Sequence, residues 1–174
     1  AGNESEGLKY GTVLTPAKEY MVWKNDGFKD NLDERNEIDV KIEEKTNLID
    51  NKLLSSIYAL LYKTRLLNII HNFLIFDRGK KMICRYNQYF GIMRAQKRLE
   101  KNKNGIIWHT QGSGKSLTMV WLSKWIIYSL EKSRVLIITD REELDEQIEK
   151  LYKGINENII RTISCKDLID RLNI

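Results

Sequence analysis

The sequence predicts an α/β fold, a partial parallel sheet with flanking helices preceded by a mainly helical segment, and three observations lead there. From residue 104 onward short apolar runs at 105–108, 135–139 and 159–163 alternate with helix-like stretches at 115–130, 141–153 and 166–172. That order implies parallel strands joined by right-handed crossovers with helices on the sheet faces. The first run passes into its helix through a glycine turn, Gln111-Gly112-Ser113-Gly114-Lys115-Ser116. Upstream, apolar residues between 53 and 76 recur every three or four positions, the period of helices packed through one face.

Taken in order, residues 1–15 are polar and glycine-rich, and the single proline, Pro16, introduces a stretch in which Tyr20, Met21, Val22 and Trp23 can pack on a neighbouring surface. Residues 25–51 are dense in charge of both signs and poor in large apolar side chains, the pattern of a solvated connector with short helical pieces. Leu53, Leu54, Ile57, Leu60 and Leu61 predict one helix; Leu66, Leu67, Ile69, Ile70, Phe73 and Phe76 predict a second, with Thr64 as a candidate N-cap. Asp77-Arg78-Gly79 is a turn signal, followed by a short strand or loop and a helix over 86–101. There is no internal repeat.

At 174 residues the chain suffices for one good-sized domain or a domain with an appendage. No apolar run approaches the length needed to span a bilayer, and residues 1–10 lack the basic start and apolar centre of a signal peptide, so a cytoplasmic location is expected. Cys84 and Cys165 form no C-x-x-C or Cys/His cluster, so reduced thiols are expected rather than a zinc site or disulfide. The net charge of +5 suits a nucleic-acid partner but is shared by many ordinary proteins and decides little. The chain opens at Ala1-Gly2 without an initiator Met, and reads as a piece of something larger.

The glycine turn carries the chemistry. Where such a turn links a strand end to a helix N-terminus, backbone N–H groups converge on a phosphate and the helix dipole favours its negative charge. Gly112 and Gly114 allow the tight backbone around Ser113; the Lys115 ammonium can reach the β- and γ-phosphates, and the Ser116 hydroxyl can join a Mg²⁺ shell. An incidental strand-to-helix turn would explain the glycines but not the Lys-Ser pair. The full pattern G-x-x-x-x-G-K-[ST] wants glycine at 109, where this chain has His109; that argues against a generic nucleotide kinase and fits helicase-type loops. For His109 itself, a strand-end residue satisfied by hydrogen bonds is expected rather than a catalytic acid or base.

Asp140 follows the run Val135–Thr139 as a Walker B acid would, but the run comes directly after the phosphate-loop helix and Arg141 follows where a second acid is wanted. An N-cap role suits Asp140 better, with Glu143 completing a capping box and Leu144, Ile148 and Leu151 facing the core. Arg141 can then contact a nucleic-acid phosphate. Gln88, in Arg85-Tyr86-Asn87-Gln88-Tyr89, offers one donor and one acceptor to an adenine edge, although a lone Gln on a helix is also an ordinary surface residue.

With these residues in hand, the sequence resembles the motor (R, HsdR) subunit of type I restriction enzymes, a DNA translocase of helicase superfamily 2. "EGLKYGTVLTPAKEYMVWK" is similar to the family's segment after its nuclease domain and "FLIFDRGKKMICRYNQY" to the motor entry. "GIIWHTQGSGKSLTMVWLSKWI" is close to its motif I, and "VLIITDREELDEQI" resembles its motif Ia. The resemblance implies a RecA-like motor domain that uses ATP and Mg²⁺ to draw duplex DNA toward a separate nuclease, in a complex with modification (M) and specificity (S) subunits. It assigns adenine recognition to Gln88, the phosphate cradle to Gly112, Ser113 and Gly114, phosphate and Mg²⁺ contacts to Lys115 and Ser116, and DNA contact to Arg141. It divides the chain into a connector over 1–52, a helical lead-in with the adenine element over 53–103, and the N-terminal part of the first motor domain over 104–174.

No Asp-Glu pair stands at a strand end to act as motif II, and no carboxylate–lysine set matches the family's nuclease. ATP hydrolysis needs a water-positioning group and charge stabilisation beyond the phosphate grip. The expectation is therefore a chain that grips ATP but neither hydrolyses it nor cuts DNA in isolation, with a small P-loop kinase or a non-catalytic assembly segment as the alternatives.

Overall fold

The computed structural model describes residues 1–24, 37–77, 79–155 and 157–173, and is mixed α/β with seven α-helices among them. Residues 25–36 of the connector expected over 25–51, and the turn residue Arg78, lie outside the described residues.

The N-terminal stretch forms a three-stranded antiparallel sheet. Strands β1 (Gly2–Asn3), β2 (Gly7–Tyr10) and β3 (Met21–Val22) lie in the order β1-β2-β3, with Gly2 opposite Leu8 and Tyr10 opposite Met21. The charged stretch that follows holds a helix, α1 (Glu37–Asn47), which packs on α2 (Lys52–Leu61); β2 packs on α2 as well. Asn51 caps α2, its side chain accepting the Leu54 N–H at 3.1 Å. Only Tyr62 separates α2 from α3 (Lys63–Asn72), and it is Tyr62, with non-helical backbone (φ −52°, ψ 124°), that occupies the N-cap position. Thr64 is thus inside the first turn rather than capping it.

The expected second helix also ends earlier than its apolar pattern suggested. Phe73 closes α3, and Leu74-Ile75-Phe76 turns into β4 (Leu74–Asp77), paired antiparallel with β5 (Lys80–Ile83). Spacing alone put Phe76 on the helix; the strand wins because Ile75 points into the core while Phe76 points out, the period-2 alternation of a half-buried strand.

Four helices follow: α4 (Tyr86–Glu100), α5 (Lys115–Ser129), α6 (Glu142–Gly154) and α7 (Cys165–Leu172). Ser164 caps α7 through its hydroxyl, which accepts the Asp167 N–H at 3.1 Å. At α6 the N-cap is Arg141, not Asp140. The Thr139 hydroxyl bonds the Asp145 carboxylate, and the chain stays extended through Arg141, so Asp140 falls one residue short of the cap and lies exposed.

Residues 105–108, 135–139 and 159–163, expected as strands of a parallel sheet, run without strand pairing among the described residues, where the only sheets are small and antiparallel. A strand is defined by a neighbour about 4.8 Å away that accepts its ladder bonds. Here Ile137 and Ile159 pack instead against a small helical core of Val120, Ile148 and Tyr152, leaving Ile106, Trp108 and Ile138 more than four-fifths exposed.

The larger core joins the N-terminal sheet to α4. Trp23, 3 % exposed, has its ring centroid 5.5 Å from Tyr89 and 5.8 Å from Phe90, while Phe73 links Tyr89 to Trp121 of α5. The expectation that Tyr20–Trp23 packs on a neighbouring surface holds at Trp23, which is buried in this core, and at Met21, which packs against it. Arg65 is buried among these rings, its guanidinium 5.3 Å from the Phe90 centroid, 2.6 Å from the Asp39 carboxylate and 2.6 Å from the Ala59 carbonyl. With Val120 in one core and Trp121 in the other, α5 is buried on two sides. Both cysteines are free, Cys84 buried and Cys165 exposed. No helix among the described residues is long and apolar enough to cross a membrane.

Candidate nucleotide site

The glycine turn leads directly into α5. Gly112 and Gly114 both have positive φ, +74° and +82°, a region open to glycine and strained for other residues. At Gly112 a Cβ would meet open space, so its requirement is conformational; at Gly114 a Cβ would also collide with the Gln88 amide. Gly114 is the N-cap of α5, so Lys115 and Ser116 enter the first turn, where N–H groups have no intrahelical partner and the dipole is positive. Ser113 is buried beneath the loop, its hydroxyl donating to the Thr110 carbonyl at 2.7 Å. The exposed Lys115 ammonium folds back on the loop, 3.1 Å from the Thr110 carbonyl and 3.4 Å from that of His109.

Gln88 is brought against this loop although it lies 26 residues earlier. Its side chain is 2 % exposed, which excludes the surface role a lone helical Gln could have had. The amide faces two ways: Oε1 accepts the Arg85 N–H at 2.7 Å, closing the first turn of α4, and Nε2 donates to the Gly114 carbonyl at 2.9 Å. The Gly114 carbonyl also accepts from Thr118, from its N–H at 3.1 Å and its hydroxyl at 3.3 Å. Arg85, to which sequence reasoning gave no role of its own, donates from Nη1 to the Gly112 carbonyl at 3.2 Å. Its signal was present in the spacing: Arg85 and Gln88 are N-cap and N3 of one helix, so whatever holds one holds the other close by.

His109 departs from its expected satisfied state. Its Nδ1 is buried without a hydrogen-bond partner among the described residues, and its ring lies beside Gly91, where a Cβ would come within 3.3 Å of Nε2. Burial lowers its pKa below the ordinary imidazole value; the main chain of Asn87 opposes the shift and the Lys115 charge adds to it. Arg141 stands apart from this cluster, solvent-exposed at the head of α6 with only a loose 3.9 Å approach to Asp140. The structure therefore gathers Gln88, Gly112, Ser113, Gly114, Lys115 and Ser116 and leaves Arg141 outside. No cluster of three or more metal-binding side chains occurs among the described residues.

A glycine cradle at a helix N-terminus, with an ammonium and a hydroxyl in the first turn, defines a P-loop nucleotide-binding protein. The chain belongs to the SWI2/SNF2 ATPase family, whose model matches residues 87–174, half of its length. Over most of its length it is also homologous to endonuclease subunits of type I restriction enzymes. It is 34 % identical over 134 residues to the putative type I restriction enzyme MjaVIIP endonuclease subunit of Methanocaldococcus jannaschii, covering 67 % of this chain and 12 % of that protein. It is 29 % identical over 181 residues to the MjaIXP subunit of the same organism, covering 94 % of this chain and 17 % of the relative. With the type I restriction enzyme HindI endonuclease subunit of Haemophilus influenzae it shares 31 % over 139 residues, 72 % of this chain and 13 % of the relative. The chain thus spans less than a fifth of the length of these relatives. No solved structure gives a significant match.

Proposed function

We propose that this chain is the ATP-gripping part of an ATP-dependent DNA translocase and endonuclease subunit of a type I restriction enzyme. The observation that carries the reading is the left-handed Gly112/Gly114 turn delivering Lys115 and Ser116 into the first turn of α5. The residues fit a Mg²⁺–nucleotide: the side-chain-free backbone at Gly114 is closed to any Cβ, and the Lys115 ammonium rests on carbonyl oxygens that a phosphate can replace. ATP with Mg²⁺ supplies the energy of phosphoryl transfer when bound. Gly112, Ser113 and Gly114 cradle the phosphates, Lys115 neutralises their charge, and Ser116 offers its hydroxyl to the metal. Gln88 keeps one N–H and one lone pair beyond the two hydrogen bonds it makes, enough to read an adenine edge.

Arg141, exposed at the head of α6, meets a phosphate of double-stranded DNA, and the modification and specificity subunits complete the assembly. A cytoplasmic location follows from that substrate. Residues 105–108, 135–139 and 159–163 act as strands of a RecA-like parallel sheet in the assembled motor, within the division 1–52, 53–103 and 104–174. Because the sequence holds the grip without a motif II pair, the chain alone binds ATP without turning it over.

Equilibrium titration with a fluorescent ATP analogue and Mg²⁺, alongside ADP release, tests this. Saturable binding that is lost in Lys115→Ala, with no ADP formed, is expected. Absence of binding by the folded chain removes the ATP reading, and steady turnover removes the claim that hydrolysis needs more than these residues.

A further inference from the structure

Resting on the ATP reading above, we infer that Arg85 and Gln88 are positioning residues that set the phosphate cradle itself, so that the first turn of α4 governs phosphate binding independently of the base. Because the peptide bond is planar, fixing a carbonyl fixes the N–H on the opposite side of the same peptide unit. Arg85 Nη1 holds the Gly112 carbonyl and so orients the Ser113 N–H, which rests on the Thr110 carbonyl at 3.3 Å; Gln88 Nε2 joins Thr118 in holding the Gly114 carbonyl and so orients the N–H of Lys115. Those two N–H groups flank the left-handed Gly114 and belong to the turn that faces a phosphate.

Glycines at 112 and 114 leave the loop many conformations, and each left-handed peptide unit can rotate unless something outside the loop holds it. Two side chains from one helix turn supply that hold at Gly112 and add to the one that Thr118 of α5 already places on the Gly114 carbonyl. They are themselves tied together, since Gln88 Oε1 accepts the Arg85 N–H, and the chain just before them is anchored where Tyr10 donates to the Cys84 carbonyl at 2.9 Å. The loop is therefore preorganised by α4, and an adenine contact at Gln88, where made, acts on a residue already engaged with the phosphate site.

Inorganic tripolyphosphate separates this role from base recognition, because it has phosphates and no base. Binding of Mg²⁺–tripolyphosphate and Mg²⁺–ATP to the 174-residue chain is measured by calorimetry for the wild type, Arg85→Ala, Arg85→Lys, Gln88→Ala and Gln88→Glu, with thermal melts confirming folding. Gln88→Glu keeps an oxygen for the Arg85 N–H while removing the donor to Gly114, and so retains the helix cap where Gln88→Ala loses it. Roughly ten-fold weaker tripolyphosphate binding is expected in Arg85→Ala and in both Gln88 variants, with partial recovery in Arg85→Lys. Variants that bind tripolyphosphate like the wild type, while Gln88 variants lose ATP alone, overturn the positioning role and leave Gln88 as a base reader. A wild type that binds neither ligand removes the ATP reading and this inference with it.

Discussion

Around the phosphate loop, single atoms decide what each residue can do. The Gln88 amide has two donors and two acceptor sites, and two of the four are engaged by main-chain groups of α4 and the loop. Lys115 has no carboxylate near it among the described hydrogen bonds and ion pairs, only carbonyl oxygens, so its charge is available to a phosphate. His109 is placed to resist protonation. Its pKa in the folded chain lies below the ordinary value, so the unfolded chain binds the proton first as pH falls, and the stability contributed by neutral His109 is present above about pH 6.5 and lost below it. The melting temperature of the wild type should therefore fall more steeply on acidification than that of His109→Gln; parallel profiles for the two proteins would show that the residue is not linked to folding.

At the scale of elements, α4 is the hub. Its first turn reaches the phosphate loop, its Tyr89 and Phe90 rings meet Trp23 from the N-terminal segment, and Arg65 of α3 lies against both rings. Arg65 ties four pieces together, since Asp39 belongs to α1 and the Ala59 carbonyl to α2. A buried guanidinium is costly unless well paired, so removing its Asp39 carboxylate takes away the opposite charge that compensates it in the core. Asp39→Ala should lower stability by about 3 kcal/mol, and adding Arg65→Met should recover part of that loss. Urea unfolding of the two variants reads this directly; a single variant as stable as the wild type would mean that the rings and the Ala59 carbonyl suffice for Arg65.

Across the whole molecule, packing is concentrated in α1 to α6 and the N-terminal sheet, while three extended segments carry apolar side chains outward: Trp108 is 89 % exposed and Ile163 90 %. Hydrogen exchange should show this contrast, with the amides of 105–108, 135–139 and 159–162 exchanging far faster than those of α4 and α5. Equal protection would mean that these segments form ladders in solution. Helices α4, α6 and α7 were legible in the sequence because their period and flanking residues are local, and α5 because it follows a glycine turn whose residue types and spacing are distinctive in themselves. Less legible were β4, where a helical spacing overlapped a strand, and the cap of α6, where Thr139 held the start one residue beyond Asp140. The N-terminal sheet joins segments too short to show a period. By itself the sequence determined most of the helices and the glycine turn that delivers Lys115 and Ser116 to the head of α5, since both depend on neighbours along the chain. Only the tertiary structure decided that Arg85 and Gln88 hold the Gly112 and Gly114 carbonyls, that Arg65 is buried among aromatic rings, and that the three apolar runs lack strand partners among the described residues. Each of these depends on whether groups far apart in sequence meet within a few ångströms, which no local pattern encodes.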